Sequence, residues 1–189
     1  MVEFDAGFAE AIRGAVQARR EDAVSLLQEL VRVPSVTGEE GAVGAVVGRA
    51  FSERGLDVDT WEATCEEAEP YRDHVGEQST YENRPNVAGT KRGTGDGRSI
   101  LLNAHTDTVD PGDPTAWKGD PLSGNLEGDL LYGRGSCDMK GFLALAILSL
   151  LETDPGRLDR LNLLEPGRGG AQVVEQPCPA DLVPGRGLD

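Results

Sequence analysis

Lysine and histidine are nearly missing from this chain. Among 189 residues there are three lysines, Lys91, Lys118 and Lys140, and two histidines, His74 and His105. The remaining positive charge is arginine, and it is outnumbered: 18 Lys and Arg face 33 Asp and Glu, a formal net charge of -15. Phosphate would repel such a surface, so a nucleic-acid partner is excluded. A surface this acidic and poor in lysine also suits a salt-adapted protein, although an ordinary acidic cytosolic protein has the same composition. No run approaches the roughly 20 apolar residues that a membrane helix needs. The first residues lack the basic-then-apolar order of a secretory leader. We therefore expect a cytoplasmic protein with no membrane partner. The three cysteines, Cys65, Cys137 and Cys178, form no C-x-x-C pair, which points to free thiols in a reducing compartment.

The hydrophobic pattern that is present belongs to an α/β protein. Ala23, Val24, Leu26, Leu27, Leu30 and Val31 mark one face of a helix ending at Pro34. Thr37 followed by Glu40 has the spacing of a capping box for a second helix, with Val43, Val46, Val47, Ala50 and Phe51 as its apolar stripe and Gly55 as its stop. Leu56–Trp61 alternates as a half-buried strand does. Residues 65–84 are polar and without period, as in a surface excursion. Asn86–Thr90 is a short strand. Ser99–Ala104 is apolar enough for a buried central strand. Gly93–Gly97 is a turn, and Gly128-Asp129 closes a hairpin. From Met139 to Leu151 the residues are apolar almost all round, the pattern of a buried helix. Beyond it, residues 152–189 hold 5 prolines and 6 glycines without a period. That composition predicts a disordered tail, or a GC-rich gene read out of frame.

Two segments carry residues with chemistry. Leu101–Val109 runs a strand into His105, with Asp107 two residues later. The carboxyl ends of strands are where ligand sites form in open α/β sheets. A neutral imidazole ligates zinc, and a carboxylate nearby can hold its other nitrogen. Leu130–Gly141 places Asp138 after a glycine-rich turn and before the apolar helix, and its two oxygens could bridge two metal ions. Each has a plainer reading. A histidine after a strand is commonly a hydrogen-bonded structural residue, and Asp138 could serve only as an N-cap. Cys137 reads as a small buried filler, and His74 as a surface residue.

Taken together, the segments resemble the metal-binding core of the acetylornithine deacetylase / succinyl-diaminopimelate desuccinylase family, the M20-type zinc metallopeptidases and deacylases. The resemblance rests on His105, Asp107, Trp117 with Asp120-Pro121, Tyr132-Gly133-Arg134-Gly135 and Asp138-Met139-Lys140-Gly141. Leu30–Gly38 also looks like that family's first helix and loop. The resemblance implies an α/β fold in which a mixed β-sheet is flanked by helices. Residues 1–151 would form the N-terminal part of the catalytic domain, and 152–189 a separate tail. It implies two zinc ions in the complete enzyme, with cobalt as a substitute. His105 would be a ligand to one metal, Asp138 a bridge between both, and Asp107 a catalytic residue that orients the site. The Asp138–Met139 bond would be cis. The implied reaction is hydrolysis of the amide bond of N-acyl amino acids or small peptides. The family's Glu-Glu pair, which supplies the general base and a ligand, is missing after Leu151, where Glu152, Glu165 and Glu175 stand alone; no histidine follows His105. Members are often homodimeric, yet the dimerisation domain has no counterpart here. The alternative is a non-catalytic fragment or binding module.

Overall fold

The computed structural model describes residues 6–75, 80–93 and 100–150, and the backbone of 170–175. The chain opens with α1 (Ala6–Ala18), α2 (Arg20–Arg32) and α3 (Gly41–Glu53). Spacing at i, i+3, i+4, i+7 and i+8 puts Val43, Val46, Val47, Ala50 and Phe51 on one stripe of α3, and all five are buried. Leu26, Leu30 and Val31 form the buried side of α2. Gly55 adopts φ 72° and ends α3 as expected; its N–H and that of Leu56 donate to the carbonyls of Ser52 and Phe51.

Among the described residues, the main sheet holds β1 (Asp57–Trp61), β2 (Asn86–Arg92), β3 (Ile100–Ala104) and, late in the chain, the strand Gly170–Glu175, with order β1-β2-(170–175)-β3. β1 and β2 are antiparallel, with Val58 opposite Gly89. Residues 170–175 run antiparallel to β2 and parallel to β3, with Leu102 opposite Val173. The sheet is therefore mixed. Gly89 lets α3 lie close against it, because a Cβ there would come within 2.7 Å of the Phe51 ring. A small hairpin, β4 (Asn125–Glu127) and β5 (Leu130–Tyr132), turns at Gly128 with φ 61°. After an irregular turn at Ser136–Lys140 comes α4 (Gly141–Ser149), whose Leu143, Ala144, Ala146 and Ile147 join α2, α3 and β2 in one core.

Several elements differ from expectation. Ser99–Ala104 reads as a central strand, but among the described residues β3 ends the sheet order, and Ile100 and Leu101 are exposed. The helix after Met139 is apolar all round, yet Phe142 and Leu145 face outward. Cys137 is exposed rather than a buried filler. The excursion 65–84 contains short helical turns at Cys65–Ala68, Glu69–Tyr71 and Arg72–Val75. The first is opened by a capping box between Thr64 and Glu67. Within residues 152–189, expected to lie outside any core, Gly170–Glu175 pairs on both edges; this stretch holds no proline, and Val173-Val174 suits a strand. The rest of that segment, like the turn residues 94–97 and Cys178, lies outside the described residues. Among the described residues, no helix is long and apolar enough to cross a membrane.

Thr37 and Glu40 do not form the expected capping box. α3 begins at Gly41 with Glu40 as N-cap residue and no side-chain cap. The Glu40 carboxylate is instead buried in a bidentate pair with Arg84, at 2.8 and 2.9 Å, and accepts the Gly38 N–H at 3.0 Å. A planar guanidinium fork suits this two-oxygen contact. Arg84 also stacks over Tyr81, 5.6 Å from the ring centre. The pair ties the loop before α3 to the approach to β2. Removing one partner strands a buried charge, so Arg84→Ala is expected to lower unfolding stability by about 3–5 kcal/mol. In urea denaturation the double change Glu40→Met with Arg84→Met should cost less than Arg84→Ala alone.

Candidate metal centre

Backbone hydrogen bonds staple the loop after α2 alongside the residues that follow β3. Val36 and Thr108 form a parallel bridge. The Thr108 N–H donates to the Ser35 carbonyl at 2.8 Å, and the Thr37 N–H donates to the Thr108 carbonyl at 3.1 Å. The buried Ser35 hydroxyl donates to the Thr106 carbonyl at 2.8 Å. This short ladder fixes the path of His105 to Thr108 as the chain leaves the sheet.

The second half of the centre is built by glycine and lysine. Gly135 has φ 82°, and a Cβ there would sit 2.6 Å from the Thr108 methyl, so only glycine lets the turn pass so close to the ladder. Lys140 is buried, with 1% exposure. Its ammonium donates to the carbonyls of Leu30 at 2.9 Å and Val33 at 3.0 Å, at the C-terminal end of α2. The Leu30 carbonyl otherwise receives only the Val33 N–H at 3.4 Å, and the dipoles at this helix end favour a cation. Between these anchors the Asp138–Met139 peptide is cis, and Asp138 projects into solvent.

The two halves meet. His105 Nε2 lies 3.2 Å from Asp138 Oδ1. On the other side of the ring, Nδ1 lies 3.0 Å from Asp107 Oδ1 and 3.1 Å from the Asp107 carbonyl. Both neighbours of Nδ1 are acceptors, so the hydrogen-bond network puts the proton there in the neutral ring. Nε2 then faces a carboxylate oxygen, and the contact is satisfied either by a proton on Nε2 of a charged ring or by a cation held between the two. The spacing fits a metal: two ligands each about 2.0–2.1 Å from a tetrahedral zinc stand about 3.3 Å apart. The ring and the Asp138 carboxylate are both accessible to solvent, and Asp107 is mostly covered. Among the described residues, no group of three or more His, Cys, Asp or Glu side chains is arranged to hold a metal ion. The structure thus brings His105, Asp107 and Asp138 together, with His105 and Asp138 as the two side chains that could hold a cation.

The remaining motif residues brace the site. The Arg134 N–H donates to the Pro121 carbonyl at 2.7 Å, and its guanidinium stacks on Trp117 at 4.9 Å. The indole N–H of Trp117 in turn donates to the Pro111 carbonyl at 2.9 Å. Sequence reasoning missed one contact: the Thr37 hydroxyl donates to Asp107 Oδ2 at 2.6 Å. The capping-box spacing gave that hydroxyl a different partner, and no pattern in the sequence signals the true one.

This arrangement of helices around a mixed sheet is shared with solved metallopeptidases. A metallo-carboxypeptidase of the M20 family from Sulfolobus solfataricus matches with TM-score 0.57 at 16% identity, covering 82% of this chain and 30% of that one. Human carnosine dipeptidase 1 matches with TM-score 0.64 at 16% identity, covering 89% and 34%. In sequence, residues 101–161 match the model of peptidase family M20/M25/M40. The succinyl-diaminopimelate desuccinylase of Ehrlichia ruminantium (strain Gardel) is 34% identical over 129 residues, 68% of this chain. The chain belongs to peptidase family M20/M25/M40 and corresponds to the N-terminal part of its members. It spans about 30% of the length of the curated relatives it matches.

Lys140 gives this site its most direct mechanical test. Lys140→Met removes the buried charge but leaves two helix-end carbonyls without their donor. We expect a loss of about 1–3 kcal/mol in chemical denaturation. Lys91→Met, which removes a 2.8 Å bond to the Leu150 carbonyl beside α4, should leave the His105 ring resonances in place. Lys140→Met should move them.

Proposed function

We propose that this chain carries the first metal-binding half of a hydrolase that cleaves the amide bond of N-acyl amino acids or small peptides. The observation that carries the reading is the His105–Asp138 approach at 3.2 Å, with the far ring nitrogen held by Asp107. His105 and Asp138 would hold a zinc ion, and the Asp138 carboxylate could serve a second one as well. Asp107 fixes the ring's tautomer and its orientation. When bound, zinc supplies Lewis-acid polarisation of the amide carbonyl and acidifies a water molecule, and cobalt can replace it. Residues 1–151 are read as the N-terminal part of the catalytic domain, in a cytoplasmic protein that takes small molecules rather than nucleic acid or membrane.

Supporting the reading are the family assignment and the kinds of enzyme among the similar proteins, a desuccinylase, a carboxypeptidase and a dipeptidase. The rival reading, a non-catalytic fragment, is favoured by the count of two ligand side chains, because a zinc site takes three or four.

Zinc added to the purified chain should shift the ring resonances of His105 with weak affinity, and His105→Ala or Asp138→Asn should abolish that binding in calorimetry. Zinc that leaves the ring unmoved would overturn the reading. The chain alone should show no chelator-sensitive hydrolysis of N-acetyl amino acids. Turnover that a chelator removes and that is lost in His105→Ala would show instead a complete catalytic unit.

A further inference from the structure

We propose that Thr37 is a positioning residue of this centre, whose hydroxyl fixes the Asp107 carboxylate and through it the His105 ring. The proposal rests on reading His105 as a metal ligand. Each oxygen of Asp107 meets a different donor: Oδ2 accepts from the Thr37 hydroxyl at 2.6 Å, and Oδ1 lies 3.0 Å from His105 Nδ1. A carboxylate torsion is broad and roughly two-fold, so one contact alone leaves the group free to rotate. Two donors on opposite oxygens define its plane, and that plane aims the ring.

Thr37 is suited to the task because it is itself held. Its N–H donates to the Thr108 carbonyl, its neighbour Val36 bridges Thr108, and Ser35 is bonded to residues 106 and 108. The hydroxyl arrives on a rigid ladder rather than on a free loop. It also has no helix-capping duty, since the N-terminus of α3 carries no side-chain cap. The side chain is exposed, so packing does not account for its position. A threonine hydroxyl has one proton to give, and here it is spent on Asp107. The consequence is a link from the loop after α2 to the metal face of the imidazole, across three side chains in sequence: Thr37, Asp107 and His105.

The test compares wild type with Thr37→Val, which keeps the shape and removes the donor, and Thr37→Ser, which restores the donor. Long-range proton–nitrogen spectra report the His105 tautomer at a pH of about 8.5, above the ordinary imidazole range. In the metal-free protein we expect Nδ1–H in wild type and Thr37→Ser, and a mixture of tautomers in Thr37→Val. In zinc titrations followed on the same ring, Thr37→Val should weaken binding roughly tenfold, the lower end of what losing an outer partner costs. Thr37→Ser should bind as wild type does. An unchanged tautomer in Thr37→Val would overturn the proposal. So would equal losses in the valine and serine variants, which would make Thr37 a matter of shape. If zinc moves no ring in any variant, the metal reading fails, and the metal-free tautomer still decides the role of Thr37.

Discussion

A buried ammonium group couples the first packed helix to the turn that presents Asp138. Taking the charge of Lys140 out of water costs several kcal/mol in isolation. The cost is offset because the group enters where α2 ends, among carbonyls whose dipoles are already aligned for a cation. The bonds join residues 107 and 110 positions apart. They fix the distance between α2 and the turn at Ser136–Lys140, and therefore where the cis peptide and the Asp138 carboxylate lie. The core beneath follows from the same contact, since α4 begins one residue later and packs Leu143, Ala146 and Ile147 against α2 and α3.

The other half of the centre depends on a different economy. His105 and Asp107 leave the sheet as an open loop, and a loop alone does not hold two side chains to a few tenths of an ångström. The ladder between residues 35–37 and 106–108 supplies the missing rigidity with main-chain bonds. Side-chain placement is then a local matter of which oxygen faces which nitrogen. Both halves thus lean on one short stretch, Leu30–Thr37: its start receives Lys140 and its end holds Asp107.

Much of this was legible in the amino-acid order. The stripe Val43–Phe51, the stop at Gly55, the hairpin at Gly128 and the meeting of His105 with Asp138 all follow from period, glycine conformation and motif spacing. What misled was information that the local pattern does not contain. An apolar run such as Ile100–Leu102 has the same sequence signature in a central and an edge strand, because the neighbour that covers it lies elsewhere in the chain. Thr37 and Glu40 have capping-box spacing, but Arg84, 44 residues on, draws the glutamate away, and Asp107 takes the hydroxyl. Long-range ionic contacts outweigh a local cap that is worth roughly 1 kcal/mol. Composition likewise averages over residues 152–189 and conceals six that have strand character.

The scarcity of lysine makes each of them an addressable chemical handle. Lys118 stands in solvent against Glu127, which raises its pKa through a 2.6 Å hydrogen bond and the attraction of opposite charges. Lys91 is committed to the Leu150 carbonyl, and Lys140 is enclosed. An amine-directed acylating reagent therefore meets, besides the N-terminal amine, three lysines of very different accessibility. Lys118 registers the reagent itself, whereas acylation at Lys140 requires α2 to part from the Asp138 turn. Mass-spectrometric labelling of this single amine over time would clock the opening of the centre, with no probe introduced into the chain.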